Sequence, residues 1–117
     1  MSFVYVIQDF GDKNLVSARK YGKVRVLLPP NRQVVFSSAP TVRRLREGLK
    51  DFSDDDYLLL IGDPAAIGIA TSIASENNRG RYKLLKWDRQ EAEYFDINID
   101  LRNYGESNFF NLKDRKY

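Results

Sequence analysis

The chain has 117 residues, a length typical of one domain, and it contains neither cysteine nor histidine. These absences exclude disulfides, zinc–thiolate sites and thiol nucleophiles, and they remove the commonest general base and metal ligand. The net charge of +3 is mildly basic, which is compatible with nucleic-acid binding without demanding it.

The N-terminal residues and the apolar runs predict a soluble, cytoplasmic protein. Residues 1–6 lack the basic segment of a signal peptide, and Gln8 and Asp9 follow too soon for an apolar signal core. The longest apolar runs are far shorter than a membrane span, so no membrane association is expected. No pattern in the sequence calls for a cofactor.

The first part of the sequence predicts three strands. Residues 3–10 start apolar on both faces, as a strand inside a sheet does. In residues 23–28 polar and apolar side chains alternate, which predicts a second strand. A Pro-Pro break follows, and residues 33–37 then predict a third strand that forms a hairpin with the second. Between the first two strands, residues 15–21 can form one short helical turn that Gly22 closes.

The clearest helix comes next, because apolar residues recur on one face at helical spacing. They are Val42, Leu45, Leu49 and Phe52. Ser38 or Thr41 can cap the start of this helix, and Pro40 suits its first turn.

The second part of the sequence predicts a strand, a helix and a hairpin. Residues 54–56 form an acidic loop, and residues 57–61 (YLLLI) indicate a central strand covered on both faces. Asp63 can cap a second helix that ends near residues 77–80 and whose apolar circumference predicts extensive burial. Residues 81–88 and 93–101 read as two closing strands.

The predicted order is β-β-β-α-β-α-β-β, an α/β (α+β) fold in which two helices flank a single mixed sheet. The connection from residue 57 to residue 88 should be a right-handed crossover between parallel strands, with antiparallel pairing in the outer hairpins. We expect a single domain over residues 1–102, followed by a C-terminal tail over residues 103–117.

The closing hairpin has a preferred register, in which Leu84 lies opposite Ile97 and Trp87 opposite Tyr94. Phe95 and Ile97 then point inward, and Trp87 with Tyr94 forms an exposed aromatic pair. Residues 79–89 mix basic and aromatic side chains as single-strand binders do. However, this register pairs Arg81 and Lys83 with aspartates of the other strand, which should neutralise much of that charge.

The first predicted helix carries the most concentrated positive surface. Its cations are Arg43, Arg44, Arg46 and Lys50, against a single Glu47. Arginine forks suit both phosphates and carboxylates, so this face is a candidate site for nucleic acid or for a partner protein. An ordinary solvated helix face explains the same pattern.

Asp9 and Asp63 lie at predicted carboxyl ends of strands, where α/β folds bind ligands. Carboxylates are usual Mg²⁺ ligands, and the helix start after Gly62 is of the kind that binds anions. However, an acidic cap repels phosphate, and the glycine pattern of nucleotide-binding loops is missing. A structural turn explains these residues more simply, because Asp63 and Pro64 are also ordinary helix-start signals.

Small residues on the second helix and apolar residues in the tail are candidates for contact with another surface. The helix carries a ridge of Ala66, Ala70 and Ala74, and the tail carries Phe109 and Phe110. The tail either covers the domain's own core, contacts a second copy as part of a homo-oligomer, or presents a short motif to a partner.

Two stretches of the chain resemble a known group of proteins. The most distinctive pieces are Ile-Gly-Asp-Pro-Ala-Ala at residues 61–66 and Leu-Lys-Trp-Asp-Arg-Gln at residues 85–90. They resemble small uncharacterised proteins of tailed phages, particularly marine and cyanobacterial ones. The resemblance implies a phage accessory protein acting in the host cytoplasm, and it assigns no activity to any residue.

The sequence supports three functional hypotheses. The first is a non-enzymatic small binding protein that engages a phage or host protein. The second is a DNA- or RNA-binding domain that uses the basic helix face, together with Trp87. The third is a Mg²⁺-dependent, phosphate-handling enzyme that uses Asp9 and Asp63.

Overall fold

The computed structural model describes residues 1–11, 13–30 and 38–102, which form one sheet with helices on both of its faces. The elements in chain order are β1 (Phe3–Gln8), a 3₁₀ helix (Val16–Lys20), β2 (Lys23–Leu28), α1 (Ala39–Gly48), β3 (Tyr57–Leu59), α2 (Pro64–Asn77), β4 (Arg81–Asp88) and β5 (Glu93–Asp100). The predicted strand over residues 33–37 and the tail over residues 103–117 lie outside the described residues. Within the described part of the chain, no helix has the length and apolar character needed to cross a membrane.

The sheet is mixed, as predicted, with the strand order β2-β1-β3-β4-β5. Strands β2, β1, β3 and β4 are parallel, and β5 is antiparallel to β4. The central position of β3 and the parallel β3–α2–β4 unit confirm the sequence predictions. Antiparallel pairing was expected at both sides of the sheet, but the pairing shown for β2 is parallel, with β1. Residues 9–22 are long enough for the crossover that this requires.

Each face of the sheet packs against its own apolar layer. Helices α1 and α2 cover one face, where Tyr5, Ile7 and Leu58 are buried. On the other face, Val4 and Leu59 belong to a second cluster that includes Ala18 of the 3₁₀ helix. The crossover from β1 to β2, which contains the 3₁₀ helix, thus lies on the face opposite the two α-helices. The reason is that β2 is added on one side of β1, whereas β3 and β4 are added on the other side, and right-handed crossovers in opposite directions lie on opposite faces. Strands covered on both faces are therefore apolar throughout.

Helix α1 uses the apolar stripe that its spacing predicts. Leu45 and Leu49 are fully buried, and Phe52 packs into the same core just beyond the end of the helix. The predicted side-chain cap is not formed: Ser38 occupies the N-cap position without a capping hydrogen bond. Thr41 lies inside the helix and is buried.

Helix α2 begins as predicted but is less buried than its composition indicates. The Asp63 carboxylate accepts a hydrogen bond from the Ala65 N–H at 3.3 Å, and Pro64 is the first helical residue. Only one face is buried, through Ala66, Ala70, Ile73 and Ala74. The expectation of extensive burial is wrong because the helix lies in an outer layer, where one side meets the sheet and α1.

The closing hairpin has the predicted register, with Leu84 opposite Ile97 and Trp87 opposite Tyr94. The predicted burial of its two faces is wrong at Tyr94 and Phe95. Tyr94 is 4% exposed because it packs in the cluster around the 3₁₀ helix, whereas Phe95 is 41% exposed. Helix α2 packs on β4 and has fewer contacts with the edge strand β5, so in the described residues the inner face of β5 is covered less than that of β4.

Candidate functional site: a groove at the carboxyl ends of the strands

The chain direction across the sheet reverses between β1 and β3, and in such folds ligands bind outside the carboxyl ends of the strands. In this protein the buried side chain of Gln8 fills that position. Its Nε2 donates to the Pro29 carbonyl at 2.8 Å, and its Oε1 accepts from the Asp63 N–H at 2.9 Å. Gln8 therefore links the ends of β1, β2 and β3, and the accessible part of this edge lies to one side of it.

That accessible part is a groove of about 920 Å³ at the ends of β3 and β4. Its volume lies within the range of ligand pockets, roughly 300–1,000 Å³. The apolar lining comes from both faces of the sheet and consists of Leu59, Leu60, Ile61, Leu84, Leu85, Trp87, Tyr94 and Ile97. Leu60 and Trp87 are 37% and 36% exposed, so the groove presents apolar surface to solvent.

Three exposed cations line the same groove. They come from three different segments: Lys13 follows β1, Lys86 lies near the end of β4, and Arg89 lies in the β4–β5 turn. Across the described residues, no carboxylate forms an ion pair with any of them. Among the described lining residues, the groove therefore carries three cations and no carboxylate.

Tyr94 fixes the positions of two parts of the groove. Its hydroxyl donates to the Asn14 carbonyl at 2.9 Å, which holds the loop that carries Lys13. Its ring meets Trp87 edge to face, with the two centroids 4.8 Å apart. The Tyr21 hydroxyl donates to the Tyr94 carbonyl at 2.8 Å. Burial raises the pKa of Tyr94, so its hydroxyl remains a donor at neutral pH.

The basic segment 79–89 divides into two halves with different surroundings. In the first half, Arg81 forms an ion pair with Asp54 at 3.1 Å, and the Lys83 ammonium lies 4.2 Å from the centroid of the Tyr57 ring. Asp100, expected to neutralise Arg81 across the hairpin, instead pairs with Arg102 and has a lowered pKa because of that contact. The second half contains Lys86 and Arg89 of the groove. The neutralisation by aspartates across the hairpin was expected for Arg81 and Lys83 and not for these two residues.

The basic face of α1 is largely engaged with neighbouring groups. Arg46 pairs with Glu76 at 3.0 Å, Lys50 with Glu47 at 2.9 Å, and the Arg44 Nε donates to the Leu27 carbonyl at 3.3 Å. Arg43 is exposed, and the parts of the chain that the structure describes give it no ion-pair partner. The structure does not bring this face to the groove, and its role in binding stays a prediction.

The two aspartates proposed for an anion or Mg²⁺ hold turns. Asp9 accepts from the Gly11 N–H at 2.8 Å, and Asp63 caps α2. In the described ranges there is no group of three or more acidic, histidine or cysteine side chains that could hold a metal ion. These contacts correspond to the structural turns that the sequence also allowed.

The alanine ridge of α2 lies in the domain's own core. Ala66, Ala70 and Ala74 are buried in the cluster between α1, α2 and the sheet. Phe109 and Phe110 lie outside the described residues, so the proposed roles of the tail stay predictions.

Sequence patterns alone did not assign the groove residues Lys13, Leu60, Lys86 and Arg89 to a site. The available signal was the basic and aromatic composition of residues 79–89, but it did not show which cations lack partners. Lys13 carried no local signal, since it reaches the groove only through the crossover that pairs β1 with β2.

The fold and the groove together define a small α+β protein with a ligand-sized, basic and apolar groove at its strand ends. The chain belongs to the Phage Pam3 gp32-like protein family, whose family model matches residues 2–101. This membership agrees with the resemblance to phage proteins found in the sequence. No curated protein and no solved structure matches the chain.

Proposed function

We propose that this phage protein is a non-enzymatic accessory protein that binds another protein, of the phage or of its host, through the groove. The observation that carries the proposal is the set of three exposed cations without ion-pair partners in the described chain, placed around exposed Leu60 and Trp87. Tryptophan and arginine are the residues that most often dominate the energy of protein interfaces.

The side chains of the groove favour binding over catalysis. In the described residues its polar lining consists of Lys13, Asn14, Lys86 and Arg89, a set without a carboxylate or imidazole to act as a general base at neutral pH. Asn14 is also engaged, since its side-chain amide donates to the Ser17 hydroxyl at 3.0 Å. Cations next to apolar surface are instead suited to holding an anionic and partly apolar partner.

Capture from infected-cell lysate tests the proposal. The tagged protein should retain a phage or host protein after nuclease treatment, and Trp87→Ala should weaken that binding by about thirtyfold, as loss of an interface hot spot does. Phe95→Ala is the matched control, because Phe95 lies on the same hairpin and is exposed but does not line the groove. Thermal melts establish that both variants are folded. Equal retention by wild type and Trp87→Ala would contradict the proposal.

Single-stranded nucleic acid is a second candidate ligand, favoured by the position of Trp87 among three cations. Base stacking on an exposed ring combined with phosphate contacts is the usual mode of such binding. In this case nuclease treatment removes the captured material, and a labelled thymidine oligonucleotide binds with an affinity that falls steeply as salt rises. Binding that is insensitive to nuclease contradicts this alternative.

A further inference from the structure

We propose that the groove binds an acidic peptide segment in which carboxylates flank one large apolar side chain. This inference rests on the proposed function and specifies the chemistry of the partner. It follows from the charges in the groove, from the nature of its apolar lining and from the carboxylates that surround it.

The first argument is charge complementarity. Lys13, Lys86 and Arg89 are exposed, and the apolar lining beside them includes Leu60 and Trp87, which are 37% and 36% exposed. A ligand that matches this arrangement carries negative charge where it meets solvent and an apolar group where it enters the groove. An acidic peptide with a central aliphatic or aromatic residue has both features.

The second argument is the lining, which is mainly aliphatic. Trp87 is the exposed ring in it, and the neighbouring Tyr94 is nearly fully buried and holds the Trp87 ring edge to face. Proteins that bind single strands stack successive bases on several exposed rings. The lining that the structure describes provides one such ring, which suits a single inserted side chain better than a run of bases.

The third argument is the negative charge beside the groove. Asp88, Glu91 and Asp96 lie on the same hairpin as Lys86 and Arg89, and no cation pairs with them in the described residues. A nucleic-acid strand that passes along the hairpin would bring its phosphates close to these carboxylates, which repel them. A short peptide segment can place its carboxylates on the three cations and avoid the aspartates and the glutamate.

Selection of peptides that bind the purified full chain, from a displayed library of random twelve-residue sequences, tests the proposal. We expect enrichment of peptides in which aspartate or glutamate flanks a large apolar residue. Lys86→Glu/Arg89→Glu should bind the enriched peptides about tenfold more weakly, because two attractions become repulsions at a solvent-exposed site. Arg19→Glu/Lys23→Glu carries the same change in net charge at exposed positions outside the groove, and it should bind them like the wild type.

Three outcomes would overturn the proposal. They are enrichment of basic or neutral peptides, an equal loss of affinity in both double variants, and tighter binding of a labelled thymidine oligonucleotide than of any enriched peptide. Failure here is distinguishable from failure of the proposed function. If the captured protein still depends on Trp87 while selection yields no acidic motif, protein binding stands and the acidic ligand is wrong.

Discussion

Asp56 is almost fully buried, and its carboxylate accepts three hydrogen bonds. The backbone N–H groups of Phe3 and Ser53 each donate at 2.9 Å, and the Ser53 hydroxyl donates at 3.2 Å. The acidic run over residues 54–56 predicts a solvated loop, which describes Asp54 and Asp55 but not Asp56. Asp56 instead fixes the start of β1 to the loop before β3.

We expect Asp56→Ala to lower the free energy of unfolding by about 2–4 kcal/mol. The reason is that two partly buried backbone N–H groups lose their acceptor and no water can fully replace it. Urea denaturation measures the change. The neighbouring Asp55→Ala is the control, since Asp55 is exposed and should cost about 0.5 kcal/mol or less. Equal stability of the two variants would show that the Asp56 contacts are not structural.

At the scale of elements, sequence periodicity predicted the main helices and strands that the structure describes, and it also predicted the hairpin register. It did not predict the burial of α2 or of β5, because burial depends on which layer covers each face. Ala65 and Gly68 of α2 are exposed even though the helix is apolar around most of its circumference. Tyr94 is buried because the 3₁₀ helix and its cluster cover that side of the sheet, a contact between segments far apart in the chain.

The exposed face of α2 gives a stability prediction. A Cβ added at Gly68 meets no atom within 4 Å, so Gly68→Ala should raise the free energy of unfolding by about 0.5–1 kcal/mol through the lower entropy of the unfolded chain. Gly48, the last residue of α1, is the matched control, because its added Cβ would lie 2.6 Å from the Leu27 Cδ2. Gly48→Ala should therefore give no such gain. A destabilised Gly68→Ala would mean that this face of α2 is covered.

At the scale of the whole molecule, the groove shows why the candidate site was harder to predict than the fold. Its lining comes from four separate stretches, around residues 13–14, 59–61, 84–89 and 94–97. Composition gave the net charge of +3 but not its distribution, since Arg81 and Arg46 have carboxylate partners and Lys86 and Arg89 have none in the described chain. Only the pairing of the strands brings these stretches together. Position along the sequence therefore carried little information about the site.

The central claim is that the partner binds in the groove and not on the basic face of α1. Amide chemical-shift mapping of the isotope-labelled protein with its captured partner, or with an enriched peptide, tests it most directly. We predict the largest shifts at the Trp87 indole N–H and at the backbone amides of Lys13, Leu60, Lys86 and Arg89. Shifts concentrated at Arg43–Lys50 with the groove signals unchanged would contradict the claim and assign binding to α1.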